Sequence, residues 1–143
     1  MALDGQGFES IDFVSSRSIF VTNPSQYTLR GMHYQIPPLS ETKIVLCLRG
    51  QVFDALVNID GTSQNFQEVH TYLLGESCEY HGLLIPKNYA HGYLTMQSDT
   101  DLFYYFDKPY SVEHSRRINW ASPELNISWP VSPTVISDKD SQY

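Results

Sequence analysis

The sequence predicts an all-β domain, an antiparallel double-sheet jelly roll. Three observations predict it: short β-branched and aromatic runs recur at fairly regular spacing, turn residues separate them, and little of the chain has helical periodicity. About eight such strands fit two packed sheets that leave a mouth for a ligand. The length of 143 residues lies within the usual size of one domain and suffices for a continuous core or a small cavity. Residues 1–143 are read as that domain, with 1–22 as an N-terminal arm.

Taken in order, the elements rest on local chemistry. The segment Asp4 to Ser10 carries glycines and ends near Phe8-Glu9, and Ser18-Ile19-Phe20-Val21-Thr22 is a short strand stopped by Asn23-Pro24-Ser25. Leu29-Arg30-Gly31-Met32-His33-Tyr34-Gln35 reads as a stretch with a tight turn at its glycine, and Ile36-Pro37-Pro38 breaks regular pairing after it. Lys43 to Leu48 is a mostly apolar strand, with a hairpin turn expected at Gly50. Beyond it Phe53, Ala55, Val57 and Ile59 alternate with Val52, Asp54, Leu56 and Asn58, which makes one face apolar and the other mixed. Asp60-Gly61 ends that strand with strong turn chemistry. Val69 to Leu74, Tyr80 to Ile85, Gly92 to Met96 and Leu102 to Phe106 continue the series, and no repeat or linker interrupts it.

Charge and cysteine content exclude several classes. Nine basic against sixteen acidic side chains give a net charge of −7, which argues against a general nucleic-acid or anionic-membrane surface and leaves any anion site to a local cluster. Cys47 and Cys78 fit neither a disulfide framework nor a zinc-knuckle spacing, so both are expected as free thiols. No apolar run reaches the roughly 18 residues of a membrane span, and the start lacks the charged and apolar regions of a signal peptide. A soluble cytoplasmic protein is expected, in which Asn126-Ile127-Ser128 is an idle sequon.

Chemistry concentrates in the stretch around His33. Arg30 can grip an anion, His33 offers an imidazole base, and Lys43 follows ten residues later; together they could remove a proton beside a carbonyl and steady the enolate. The same three side chains also read as solvated residues near a turn. Further along, Ile85-Pro86-Lys87-Asn88-Tyr89-Ala90-His91-Gly92 delivers His91 to the start of a strand through a proline-led turn. That segment resembles the second cupin motif, with Asn88 where a glycine is usual. Metal-binding cupins pair this histidine with an H-x-H, and His33-Tyr34-Gln35 lacks the second imidazole, so no metal is expected.

Longer segments carry a closer resemblance. Leu29 to Gln35, Lys43-Ile44-Val45-Leu46-Cys47-Leu48-Arg49-Gly50-Gln51-Val52-Phe53-Asp54 and Ile85 to Gly92 are together similar to the dTDP-4-dehydrorhamnose 3,5-epimerase family of metal-free cupins. Ile118-Asn119-Trp120, Ile127-Ser128-Trp129-Pro130 and Ser137-Asp138-Lys139-Asp140 resemble its closing motifs, so the likeness runs from about Asp4 to Asp140. It implies a cupin double-stranded β-helix without a cofactor. It also implies roles: His33 as general base, Asp140 (with Asp138 as the weaker candidate) as its orienting carboxylate, Tyr104 as the phenol returning a proton from the opposite face, and Lys43 at the developing C4 oxyanion. Arg30 and His91 would hold the substrate's charged region, with Gln35, Tyr110 and Gln6 as further substrate contacts. Read without the resemblance, Tyr104 is equally a core aromatic and Asp138 and Asp140 a polar tail.

Departures from the family pattern are local. Gln6 stands where an arginine reaches the nucleotide phosphates in the family, and an amide cannot replace that cation. The segment from Ser10 to Asn23 is shortened, Leu46 replaces a frequent arginine, and Pro109 replaces one aromatic of a pair. The resemblance implies a metal-independent epimerase of a nucleotide-activated 4-keto-6-deoxy sugar, acting at C3, C5 or both. A sugar 3,4-ketoisomerase and a non-catalytic sugar-binding cupin are the alternatives. A homodimer is expected, with the arm near Gln6 and Phe8 crossing to the partner's sheet.

Overall fold

The computed structural model describes Ala2–Leu3 and residues 12–142. Eleven strands and one helical turn follow in chain order: β1 (Ala2–Leu3), β2 (Arg17–Asn23), β3 (Thr28–Gln35), β4 (Lys43–Arg49), β5 (Gln51–Asn58), β6 (Val69–Gly75), β7 (Gly82–Ile85), β8 (Tyr89–Thr95), β9 (Thr100–Phe106), β10 (Ser115–Arg117), β11 (Val135–Ile136) and α1 (Asp138–Ser141). They form a five-stranded sheet, β1-β7-β4-β9-β2, and a six-stranded sheet, β10-β3-β8-β5-β6, with β11 added in parallel to the start of β3. This is the cupin jelly roll. Among the described residues no helix is long and apolar enough to cross a membrane.

Two local expectations are corrected. Gly50 does not turn a hairpin: β4 pairs with β7 and β9 in one sheet while β5 pairs with β6 and β8 in the other, so the Arg49-Gly50 corner passes the chain between sheets. Gly50 has φ +78°, and a Cβ there would lie 2.3 Å from the Thr100 hydroxyl oxygen, so the corner requires glycine. Gly31 likewise lies inside β3, at a register irregularity rather than a turn. The strand read at Ser18 to Thr22 forms as β2, paired residue for residue with β9. The Asp60 turn forms as read, its carboxylate accepting from the Thr62 amide and hydroxyl.

Alternation on β5 has an unexpected reading, because both of its faces are buried. Val52 and Leu56 join Val45, Leu83, Ile85 and Leu102 in the core between the sheets. Ala55 and Val57 point the other way, against Met32 and Ala90, and this second cluster is covered by Ile118, Trp120, Leu125, Ile127 and Trp129. The chain after β10 therefore wraps the back of the six-stranded sheet, with Trp129 edge-on to Phe53 at 5.7 Å and donating to the Trp120 carbonyl. Burial of a valine or leucine stabilises by about 1.5–3 kcal/mol, so this wrap also anchors the C-terminal turn α1. The mixed face of β5, carrying Asp54, is left for the space between the sheets.

Candidate active site

A cavity of about 580 Å³ opens between the sheets, with Arg30, His33 and His91 on the six-stranded wall and Lys43, Tyr104 and Phe106 on the five-stranded wall. The bulge in β3 makes the first wall possible. In a regular strand residues 30 and 33 would point to opposite faces. Here Arg30 lies opposite Tyr93 and His33 opposite His91, so Gly31 and Met32 on β3 face the single Gly92 on β8 and both side chains enter the cavity. The bulge in turn requires glycines. Gly31 has φ +124°, and a Cβ on it would sit 2.5 Å from the Gly92 Cα and 2.8 Å from the His91 carbonyl oxygen.

His33 presents a half-exposed ring, and its Nε2 lies 2.5 Å from Oδ1 of buried Asp140. The other Asp140 oxygen accepts from the Gly31 amide at 3.3 Å, and Ser137 caps α1 by accepting from the Asp140 amide. Burial pulls the Asp140 carboxyl upward, but the His33 hydrogen bond and charge, with the Gly31 and Ser137 contacts, outweigh it and leave it below its ordinary value. A carboxylate fixed at Nε2 leaves Nδ1 as the basic nitrogen, with no partner among the described residues. Asp138, the weaker candidate, is exposed. The expected polar tail is thus a helical turn that delivers one carboxylate inward.

Beside it lies a second pair. His91 Nε2 is 2.8 Å from Oδ2 of Asp54, both side chains are buried, and Asp54 Oδ1 has no partner among the described residues. Burial pushes the Asp54 carboxyl up and the His91 imidazole down, against their mutual attraction. Lys43 is buried as well; burial lowers its pKa, while the charges of Glu41 and Asp54 pull it back toward the cationic form. Tyr104 is stacked on Phe106 and meets the His91 ring edge-on at 6.0 Å. Its burial, with Tyr93 and Asp54 nearby, holds the phenol well above its ordinary value, hence protonated at neutral pH.

The remaining expected residues divide. Arg30 lines the cavity with its Nε donating to Asn23, which is itself fixed by the Thr100 carbonyl and the Tyr93 hydroxyl. Tyr110 stands exposed at the rim. Gln35 reaches the wall, but its amide nitrogen donates to the Leu39 and Pro109 carbonyls and its oxygen accepts from the Ser111 amide, so the geometry makes it a strut for the 107–114 rim instead of a free substrate contact. Gln6 lies outside the described residues. Sequence reasoning missed Asp54, Asn23, Arg17 and Glu41; only Asp54 left a signal, as the charged position on a strand otherwise suited to burial. Among the described residues no cluster of three or more His, Cys, Asp or Glu side chains could hold a metal ion.

A sequence model of the family described as dTDP-4-dehydrorhamnose 3,5-epimerase matches residues 5–143. The chain belongs to that family. Curated relatives of that name include one from Sinorhizobium fredii, 37% identical over 117 residues, covering 80% of this chain and 58% of the relative. Another, from Shigella flexneri, is 37% identical over 113 residues, 78% of this chain and 61% of the relative. The chain therefore spans about three fifths of the length of these relatives. Among solved structures, the epimerase from Bacillus anthracis with TDP and PPi bound superposes with a TM-score of 0.87 at 31% identity, covering 91% of this chain and 74% of that one. A Legionella pneumophila dTDP-6-deoxy-D-glucose-3,5-epimerase in complex with dTDP-4-keto-L-rhamnose gives 0.84 at 30% identity, covering 92% and 69%.

Proposed function

We propose that this member of the epimerase family is a metal-independent epimerase of a nucleotide-activated 4-keto-6-deoxy sugar, inverting C3, C5 or both through an enolate. One observation carries the reading: a half-exposed imidazole backed by a carboxylate stands on one wall of the cavity and a protonated phenol on the opposite wall. Inversion needs a proton removed from one face of a carbon and returned to the other. In the proposed step His33 takes the proton beside the C4 ketone, Asp140 stabilises the imidazolium, and Lys43 holds the enolate oxygen. Tyr104 then delivers its proton from the other side, and the phenolate regains one as His33 loses its own to solvent.

Charge supports an anionic substrate. Besides Arg17, whose charge is paired with Glu41, five of the chain's nine lysines and arginines line this one cavity (Arg30, Lys43, Arg116, Arg117 and Lys139), although the chain as a whole carries −7. Such focusing suits a diphosphate held at the mouth with the sugar inside. Incubation with a dTDP-4-keto-6-deoxy sugar in heavy water tests the reading. Deuterium should enter C3 or C5 with the C4 ketone retained; a 3,4-ketoisomerase would move the ketone, and a binding protein would do neither. Prolonged chelation should leave the activity unchanged, and recovery only with added metal would reassign His33 and His91 to ligation.

The same reading makes the enzyme a cytoplasmic homodimer. The outer face of the five-stranded sheet exposes Phe20 and Tyr105 around Phe103, an apolar surface that a second copy would cover. Light scattering at micromolar concentration should give twice the chain mass; a fully active monomer would remove the dimer from the proposal.

A further inference from the structure

Among the lysines and arginines lining the cavity, Arg17 is set apart by an ion pair with the buried carboxylate of Glu41. Arg17 opens β2 opposite Phe106, and its guanidinium carbon lies 3.6 Å from the centroid of that ring. Nε donates to the Lys108 carbonyl at 3.2 Å and Nη2 pairs with the Glu41 carboxylate at 3.1 Å, so the plane of the guanidinium is fixed at two points. Phe106 stacks on Tyr104 with centroids 5.6 Å apart and planes 10° apart. A guanidinium between two rings needs roughly 7 Å, two van der Waals layers, so Arg17 sits on the outer side of Phe106 and caps the stack. The contacts run in the order Arg17, Phe106, Tyr104, His91.

We propose that Arg17 is a positioning residue for the return of the proton: by capping Phe106 and tying the rim at Lys108, it holds the Tyr104 ring in the plane from which its hydroxyl reaches the substrate. The proposal rests on the epimerase reading and deepens it. Proton transfer requires heavy atoms within hydrogen-bond reach, and a small misplacement of the donor lowers its rate steeply. The stack meets the opposite wall only at His91, whose ring touches Tyr104 edge-on, and neither Arg17 nor Phe106 contacts His33 or Asp140 in the hydrogen-bond and ring contacts of the described residues. His33 is held by Asp140, Gly31 and β10, all on the other wall. Loosening the stack should therefore affect the second half of the reaction and leave the first.

The test compares Arg17→Ala and Arg17→Lys with the unaltered chain, measuring kcat and KM for inversion and deuterium uptake into recovered, uninverted substrate in heavy water. Arg17→Ala should lower kcat for inversion about 5- to 20-fold with KM within twofold, while exchange stays within twofold, so the exchange-to-inversion ratio rises by nearly the same factor. Arg17→Lys keeps the charge and loses the flat face, and should behave like the alanine variant. It also carries the test alone if the alanine variant fails to fold. A raised KM with an unchanged ratio, or a lysine variant with the unaltered ratio, would make Arg17 an anion contact and overturn the proposal. A parallel fall of exchange and inversion would overturn it as well, in favour of a general structural role. An unaltered chain that neither exchanges nor inverts takes down the epimerase reading and this proposal together, whereas an active enzyme with an unmoved ratio takes down only this one.

Discussion

Two histidine–aspartate pairs stand side by side on one wall, His33 with Asp140 and His91 with Asp54, and His33 and His91 are direct cross-strand partners. Their chemistry is the same and both carboxylates are buried; what differs is the exposure of the imidazole. The His33 side chain is 48% exposed, whereas those of His91 and Asp54 are 4% and 0% exposed. An imidazole at the cavity surface can collect a proton, be stabilised by its carboxylate and lose the proton to solvent. A buried pair cannot cycle so freely, because burial opposes charge on both partners and moves Asp54 up and His91 down. Exposure thus suits His33 to the proposed role of base, while the dry pair sets Asp54's carboxylate near buried Lys43.

Breaking the exposed pair should have the largest effect. His33→Ala is expected to abolish both deuterium exchange and inversion, and Asp140→Asn to lower both about 10²- to 10⁴-fold by misorienting the ring while leaving the melting temperature nearly unchanged. Substantial exchange in the alanine variant would assign the base elsewhere. Tyr104→Phe should come next, lowering inversion about 10²- to 10³-fold as measured by product chirality while exchange persists. Loss of exchange in that variant with His33→Ala still active would swap base and acid.

For the buried pair the expected balance reverses. Asp54→Asn removes a charged hydrogen-bond partner from a dry site and should destabilise the fold by about 1.5–3 kcal/mol in urea denaturation, a larger stability loss than Asp140→Asn gives. Equal stability losses would mean that burial does not separate the two pairs. The smallest effect concerns Lys43. Burial lowers its pKa, so the alkaline limb of kcat should fall below the ordinary lysine value of 10.5. A nearby negative charge favours the protonated lysine, so Glu41→Gln removes that support and should move the limb down by a few tenths to about one pH unit. A limb that moved upward would show that another group sets it.

Most strands were legible because their signals are local. Val69 to Leu74 and Leu102 to Phe106 are apolar and aromatic runs bounded by turn residues, and each forms a strand whose ends differ from the reading by at most two residues. Gly50 was read correctly as a sharp change of direction and wrongly as a hairpin, because the sequence marks a corner without marking the sheet that the next strand joins. Gly31 is similar: a glycine at positive φ serves a turn or a bulge equally well, and the opposite Gly92 decides between them. Gln35 and Tyr110 are both polar groups near the site, yet only the folded rim shows that one is held at every polar atom and the other is open.

By itself the sequence determined that the chain is built of short strands, that titrating and cationic groups cluster around His33, and, through its motifs, that it resembles one epimerase family. Tertiary structure decided which groups meet and how dry they are. The bulge turned Arg30 and His33 to the same face against the period of two, and the C-terminal wrap brought Asp140 to a histidine 107 residues earlier. It also placed Asp54 beneath His91, 37 residues away, and Arg17 over Phe106. The physical reason is that propensity and turn chemistry act over a few neighbours, while exposure, proton affinity and the opposition of base to acid are properties of surfaces assembled from distant strands.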